Sequence, residues 1–159
     1  MTENLELRMY GLVPYNISPI QQGIQYGHAV VEYANKHFND VDYQKWAKVD
    51  KTFIILNGGT TNTNLDYLGT LNNHLQTLFD KGVKFEAFFE PDLGHQLTAI
   101  VFLVDERVFN RTKYPDFEPS VLASINPWKY KREIKGWTKK IGGEQNVFLR
   151  DFLKNFRLA

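Results

Sequence analysis

The hydrophobic pattern of the first two thirds of the chain alternates between strand-like and helix-like segments. Leu5–Val13 alternates apolar and polar residues up to Pro14, which is typical of a strand. Thr52–Leu56 is a continuous apolar run closed by Asn-Gly-Gly, which suits a strand buried on both faces. Lys84–Glu90 and Thr98–Val104 predict a third and a fourth strand, separated by the turn sequence Pro-Asp-Leu-Gly.

Two helices are predicted between these strands. Ile17–His37 has Ser18 as a good N-cap and Pro19 at the first helical position, where a missing N–H costs nothing. From Leu65 the apolar residues again keep a helical period, and Gly82 stands where a C-terminal glycine cap is expected.

The first helix carries an apolar stripe and a polar stripe on neighbouring faces. The apolar positions, spaced by three and four, are Ile20, Ile24, Gly27, Val31, Ala34 and Phe38. The polar positions are Gln21, Gln25, His28 and Glu32. Gly23 and Gly27 lie between the stripes, and each costs a helix about 1 kcal/mol relative to alanine. We therefore expect this helix to approach another backbone or a ligand closely.

The order strand, helix, strand, helix, strand, strand predicts an α/β domain with a mixed four-stranded sheet and helices packed on it. The first helix is long enough to be a crossover between parallel strands, whereas the last two strands are close enough to be antiparallel. We assign residues 1–105 to this domain. Residues 106–159 form an extension, a loop followed by a C-terminal helix, packed on the same domain or at an interface.

Composition narrows the class of protein only slightly. The 159 residues have a formal net charge of +1, so global charge predicts neither a nucleic-acid binder nor an acidic partner. There is no cysteine, which excludes disulfides, thiolate metal sites and cysteine nucleophiles. No signal peptide or membrane-spanning run is visible in the sequence. We expect a soluble, cytoplasmic protein.

Two segments resemble the peptidyl-tRNA hydrolase 2 family. Gly23–Tyr33, GIQYGHAVVEY, resembles the signature on the first helix of that family, in which Gln25, His28 and Ala29 match. Gly82–Gly94, GVKFEAFFEPDLG, resembles its third strand and the turn that follows. The resemblance implies the fold of this family and hydrolysis of the ester bond between a peptide and tRNA.

The same resemblance implies a set of site residues, since Asp92 and Gly94 match in the turn and Thr98 matches the threonine that opens the last strand. The implied catalytic residues are His28, Asp92 and Thr98. The candidate substrate-binding residues around them are Gln21, Gln25, Gly94 and His95. The chain departs from the family in several places. Gln21 stands at or near the position of a lysine, the turn lacks both of its arginines, and a longer segment of the family is cut to Gln96-Leu97.

Hydrolysis of an ester needs a positioned water, a group to orient or deprotonate it, and donors for the oxyanion. Asp92 could orient the water, Thr98 could donate through its hydroxyl, and His28 could act as acid or base near neutral pH. Structural roles are the alternative for each: a turn residue, a strand opener and a partly buried, hydrogen-bonded histidine.

Two other kinds of site have weak support. His28 and His95 lack the accompanying carboxylates or motif of a metal site, so we expect no metal and no cofactor. The Asn57–Thr60 segment follows a strand and precedes a helix, but it lacks the spacing of a phosphate-binding loop, and a tight turn is the better interpretation.

One basic segment is a second candidate for binding. Trp128–Lys140 holds six Lys or Arg residues, Lys131 and Arg132 among them, against one Glu, with three aromatic rings interleaved. Positive groups contact phosphates and flat rings stack on bases, so the segment could bind tRNA or another RNA. The alternative is a solvated face whose Trp residues anchor the extension to the core.

Three functions therefore remain open from the sequence. The first is hydrolysis of peptidyl- or aminoacyl-tRNA, and the second is a binding protein that keeps the fold without the chemistry. The third is an RNA-binding accessory protein. A protein partner or a second copy of the chain is compatible with each of them.

Overall fold

The computed structural model of the chain describes residues 4–159 and has the predicted α/β class. Its four strands are β1 (Leu7–Val13), β2 (Thr52–Asn57), β3 (Glu86–Glu90) and β4 (Gln96–Asp105). They form one sheet in the order β2-β1-β4-β3. β1 and β2 are parallel, and β3 and β4 are antiparallel. The mixed four-stranded sheet predicted from the hydrophobic pattern is therefore confirmed.

Seven α-helices accompany the sheet in the described residues. They are α1 (Pro19–His37), α2 (Val41–Lys45), α3 (Thr70–Asp80), α4 (Glu106–Phe109), α5 (Val121–Ile125), α6 (Pro127–Ile141) and α7 (Glu144–Leu153). A π-helical turn, Trp46–Asp50, continues α2. The cap of α1 is confirmed, since the Ser18 hydroxyl accepts from the Gln21 N–H at 3.2 Å. The second predicted helix begins at Thr70 rather than at Leu65, which lies exposed in the loop before it.

The apolar stripe of α1 is not its buried face. Ile20 and Val31 are 76% and 59% exposed, whereas the sheet is covered by Tyr26, Ala29 and Tyr33. Two large rings with hydroxyl groups bury more apolar area than the aliphatic residues of the stripe, and the Tyr26 hydroxyl gains a buried partner in the Met9 carbonyl at 2.8 Å. This rotation of the helix turns Gln25 toward the sheet.

Gly11 on β1 allows α1 to lie this close. A β-carbon at Gly11 would stand 2.2 Å from the Cδ2 atom of the Tyr26 ring. By contrast, a β-carbon at Gly23 or Gly27 would meet nothing within 4 Å, so packing within the chain does not require glycine at either position.

The Asn57–Thr60 segment ends β2 and makes its backbone hydrogen bonds within the protein. The Gly58 N–H donates to the Val13 carbonyl at 2.7 Å, and the Gly59 N–H donates to the Asn57 side chain at 2.9 Å. Both N–H groups are therefore already hydrogen-bonded within the protein.

The chain divides into two compact units. Unit 1 comprises the described residues up to Val104 together with Phe156–Ala159, and unit 2 is Asp105–Asn155. The last residues return to β2, where the Asn57 N–H donates to the Arg157 carbonyl at 2.8 Å. The predicted C-terminal helix is α7, which ends at Leu153.

The longest helix of unit 2, α6, was not predicted. Its N-cap is Asn126, whose side chain accepts from the N–H groups of Trp128 and Lys129, and Pro127 occupies the first helical position. The apolar residues on its inner side are too few to stand out among the basic residues, so its helical period was missed.

Candidate functional site

The polar residues of α1 meet the end of the sheet through Gln25. This side chain is 1% exposed, so both ends of its amide need hydrogen-bond partners. The Thr98 hydroxyl on β4 donates to Gln25 Oε1 at 2.6 Å, and Gln25 Nε2 donates to Glu90 Oε2 on β3 at 2.6 Å. The two bonds fix the orientation of the amide, because its acceptor end faces a hydroxyl and its donor end faces a carboxylate.

Glu90 is the residue on which this network converges. Its second oxygen, Oε1, accepts from the Asp92 backbone N–H at 3.2 Å, and its carbonyl accepts from the His95 N–H at 2.9 Å. The Gln25 amide, the Asp92 N–H and the neighbouring His28 hold the pKa of Glu90 below its ordinary value. Glu90 is therefore a carboxylate at neutral pH although only 8% of the residue is exposed.

His28 stands beside this carboxylate at the surface. Its Nδ1 atom lies 3.7 Å from Glu90 Oε2, and its ring packs edge-to-face on Phe88 with 4.5 Å between ring centroids. The side chain is 44% exposed, so one side of the ring contacts Glu90 and Phe88 and the other is accessible to solvent. An imidazole in this position can exchange a proton with a molecule outside the protein.

The turn after β3 is shaped by two residues with a left-handed backbone, Gly94 at φ +67° and His95 at φ +59°. A 3-10 turn, Pro91–Leu93, precedes them. The side chain of Asp92 is exposed on this turn.

These elements enclose an open cleft of about 480 Å³ in unit 1. Its lining residues are Ile17, Ser18, Gln21, Ile24, Gln25, His28, Glu90, Asp92 and Leu93. Two of the nine are carboxylates and one is a histidine, and neither lysine nor arginine is among them.

The cleft brings together four of the residues that the sequence singled out, namely Gln21, Gln25, His28 and Asp92. Thr98 is 0% exposed and lies behind Gln25, so it contacts the site only through that side chain. Gly94 and His95 shape the neighbouring turn and do not line the cleft.

Glu90 was missed by the sequence analysis. It ends a strand directly before Pro91, and exposed charged residues are ordinary at strand ends. Its only distinguishing signal is its partner Gln25, which lies 65 residues earlier in the chain.

Lys131 and Arg132 lie on α6 in unit 2, and both are exposed. The basic residues of this helix are Lys129, Lys131, Arg132, Lys135, Lys139 and Lys140. None of the six has a carboxylate within 4 Å among the described residues. Trp128 at the start of the helix is 81% exposed, and the Lys131 ammonium lies 5.8 Å from its ring.

Trp137, on the same helix, has a structural role. Its indole N–H donates to the Pro115 carbonyl at 3.0 Å, and the Arg150 guanidinium lies 5.6 Å from its ring. Arg150 is itself buried and donates to Asp116 at 2.8 Å. Of the two tryptophans on α6, only Trp128 is therefore exposed enough to stack on a ligand.

Residues 4–159 contain neither a group of three or more His, Asp or Glu side chains able to hold a metal ion nor a helix long and apolar enough to span a membrane. No family model, no curated protein and no solved structure matches the chain. Its function must therefore be inferred from the site and the charge distribution.

Proposed function

We propose that this chain is a divergent member of the peptidyl-tRNA hydrolase 2 family and hydrolyses the ester bond of peptidyl- or aminoacyl-tRNA. One observation carries the proposal. The hydrogen-bonded series from Thr98 through Gln25 to Glu90 ends beside His28 in an open cleft. Three of these residues, together with Asp92, are among those on which the resemblance to the family rests.

In the proposed reaction His28 acts as general base and then as general acid. It takes a proton from a water molecule while the water oxygen bonds to the ester carbonyl carbon. The bond from that carbon to the ribose oxygen then breaks, and His28 returns the proton to the ribose oxygen. The products are the free amino acid or peptide and the tRNA with its terminal hydroxyl restored.

Glu90, Gln25 and Thr98 act as positioning residues. The Glu90 carboxylate at 3.7 Å from His28 stabilises the imidazolium that forms when His28 takes the proton. Gln25 donates a hydrogen bond to this carboxylate and accepts one from Thr98. The carboxylate is therefore already oriented, and its surroundings need little rearrangement when the imidazolium forms.

An RNA substrate also requires positive charge, which the lining of the cleft lacks. In unit 2, the six basic residues of α6, with exposed Trp128 beside them, are a separate candidate for binding RNA phosphates. Lys131 and Arg132 are accordingly RNA-binding residues.

Substitution of His28 tests the proposal. His28→Ala is expected to lower kcat/KM for release of the acyl group from tRNA by about 100-fold or more, the usual contribution of a general acid–base group. Asp92→Ala should also lower it, because Asp92 lines the same cleft. His74→Gln is the matched control, since His74 belongs to unit 1 but does not line the cleft. Wild-type rates in both cleft variants would refute the catalytic assignment.

A second candidate function is RNA binding without hydrolysis, which the concentration of positive charge on α6 favours. It predicts affinity for single-stranded RNA that falls steeply with salt and weakens in the double variant Lys131→Glu/Arg132→Glu. Lys48→Glu/Lys51→Glu makes the same charge change on exposed residues of unit 1 and should retain binding. Salt-independent binding, or equal loss in both variants, would exclude α6 as the RNA-binding surface.

A further inference from the structure

The short helix α5 in unit 2 has its large apolar side chains on the outside. Val121, Leu122 and Ile125 are 84%, 57% and 77% exposed, whereas the small Ala123 is buried. Large aliphatic side chains are ordinarily buried in preference to alanine, because they remove more apolar area from water. The three lie side by side on the helix, since Ile125 is four residues from Val121 and three from Leu122. An exposed apolar cluster of this kind is typical of a binding surface.

The orientation of α5 is fixed by hydrogen bonds to α6. The Ser120 hydroxyl caps α5 by accepting from the Ala123 N–H at 3.2 Å, and it donates to the Glu133 carboxylate on α6 at 2.7 Å. The Ser120 N–H donates to the same carboxylate at 2.9 Å. The exposed apolar residues therefore belong to a helix that is capped and bonded to its neighbour.

The outer face of α6 continues this apolar cluster with positive charge. Trp128 at its start is 81% exposed. Three exposed basic residues follow it at helical spacing and share its face, namely Lys131, Arg132 and Lys135. Glu133 is the only acidic residue between positions 121 and 141, and it is bonded to Ser120. We name these seven exposed residues the α5–α6 surface: Val121, Leu122, Ile125, Trp128, Lys131, Arg132 and Lys135.

We propose that the α5–α6 surface docks the protein on a lipid bilayer that contains anionic headgroups. Each Lys or Arg near such a bilayer strengthens binding about fivefold. Apolar side chains enter the boundary between headgroups and acyl chains, as in helices that lie on a membrane. Trp128 stands where the apolar and basic parts meet, which is the position that tryptophan favours at a membrane surface. This docking does not depend on the proposed hydrolysis.

The aliphatic part of the surface favours a bilayer over RNA. The basic residues suit either ligand, because both carry phosphates. Aliphatic side chains, however, neither bind phosphates nor stack on bases, so RNA would leave Val121, Leu122 and Ile125 in water. A second copy of the chain is disfavoured by charge, since a symmetric contact through this surface would bring the basic residues of both copies together.

Sedimentation of the 159-residue chain with vesicles tests the proposal. The two probes are vesicles of phosphatidylcholine alone and vesicles in which about one third of the lipid is phosphatidylserine. The chain should bind the anionic vesicles at least about tenfold more tightly, and the preference should fall as added salt screens the attraction.

One pair of variants tests the basic part. Lys131→Gln/Arg132→Gln removes two charges and should lower the partition coefficient for anionic vesicles about 30-fold, at about fivefold for each charge. Lys48→Gln/Lys51→Gln is the matched control, because both lysines are exposed and belong to unit 1. It should bind like wild type.

A second pair tests the apolar part. Ile125→Ser should lower the partition coefficient about tenfold, the scale for one large aliphatic side chain that leaves water. Ile20→Ser is the matched control, because Ile20 is 76% exposed and belongs to unit 1. Trp128 supplies a further readout, since an indole that enters the bilayer boundary shifts its fluorescence to shorter wavelength. Adsorption through charge alone leaves the indole in water, and Trp128→Phe should abolish the shift.

Four outcomes would overturn the proposal. The first is equal affinity for the two kinds of vesicle, or binding to neither. The second is loss of binding in Ile20→Ser to the same extent as in Ile125→Ser. The third is unchanged vesicle binding in Ile125→Ser without a fluorescence shift in wild type, which would leave a polyanion surface of the kind that binds RNA. The fourth is a dimer that Ile125→Ser dissociates and that binds no vesicles, which would assign the surface to a second copy.

Discussion

Removal of the Thr98 hydroxyl tests the most deeply buried hydrogen bond of the candidate site, the one from Thr98 to Gln25. Thr98→Val keeps the shape of the side chain but leaves Gln25 Oε1 without its donor at 2.6 Å. Thr98 also lies 3.3 Å from the Phe88 carbonyl, but a hydroxyl has a single proton, and the shorter contact to Gln25 takes it. The substitution therefore leaves one buried amide oxygen unpaired.

The size of the effect follows from burial. Thr98 is 0% exposed and Gln25 is 1% exposed, so water cannot replace the lost donor. An unsatisfied buried acceptor costs about 1–3 kcal/mol of the free energy of unfolding. For a chain of this length each kcal/mol lowers the melting temperature by roughly 2–4 °C.

Chemical denaturation followed by circular dichroism measures the free energy of unfolding, and the deacylation assay measures kcat/KM on the same preparations. Thr98→Ser is the control, because it keeps the hydroxyl and loses only a methyl group. We expect Thr98→Val to lower both quantities and Thr98→Ser to lower both of them less. Equal stability and activity of the valine and serine variants would refute the assigned hydrogen bond and the positioning role of Thr98.

Three further predictions concern Glu90, Gly11 and the two glycines of α1. Because the pKa of Glu90 is lowered in the folded protein, its contribution to stability is present at neutral pH and is lost as pH falls through the folded pKa. Glu90→Gln should therefore lose less free energy of unfolding than wild type between about pH 7 and about pH 3, and an equal loss would contradict this. Gly11→Ala should destabilise unit 1 by about 1–3 kcal/mol because its β-carbon would overlap Tyr26. Gly23→Ala and Gly27→Ala should each stabilise α1 by roughly 0.5–1 kcal/mol, and destabilisation by either would show that the face is not open.

The strands of unit 1 and the start of α1 were predictable because their signals are local. Ser18 and Pro19 identify the start of α1, and the apolar runs identify the strands of the sheet. Which face of α1 is buried was not predictable in this way. The aliphatic stripe is exposed, whereas Tyr26 and Tyr33 cover the sheet, and the Tyr26 hydroxyl bonds to a carbonyl on β1 that the sequence does not reveal as its partner.

The candidate site was predictable only in part for the same reason. Gln25 and His28 share a helix face, so their proximity follows from spacing. Glu90 joins them through a contact between distant segments, and no periodic signal distinguishes it from an ordinary charged residue at a strand end. The helix α6 was missed because its few apolar residues are separated by many basic ones, so no helical period stands out in the sequence.

The coupling between His28 and Glu90 tests the central claim most directly. Deacylation rates of His28→Ala, Glu90→Gln and the double variant form a mutant cycle on the pair that lies 3.7 Å apart. If Glu90 acts through His28, the two single variants each lose most of the activity, and the double variant is no slower than His28→Ala. Independent losses that multiply in the double variant, or wild-type rates in His28→Ala, would contradict the account.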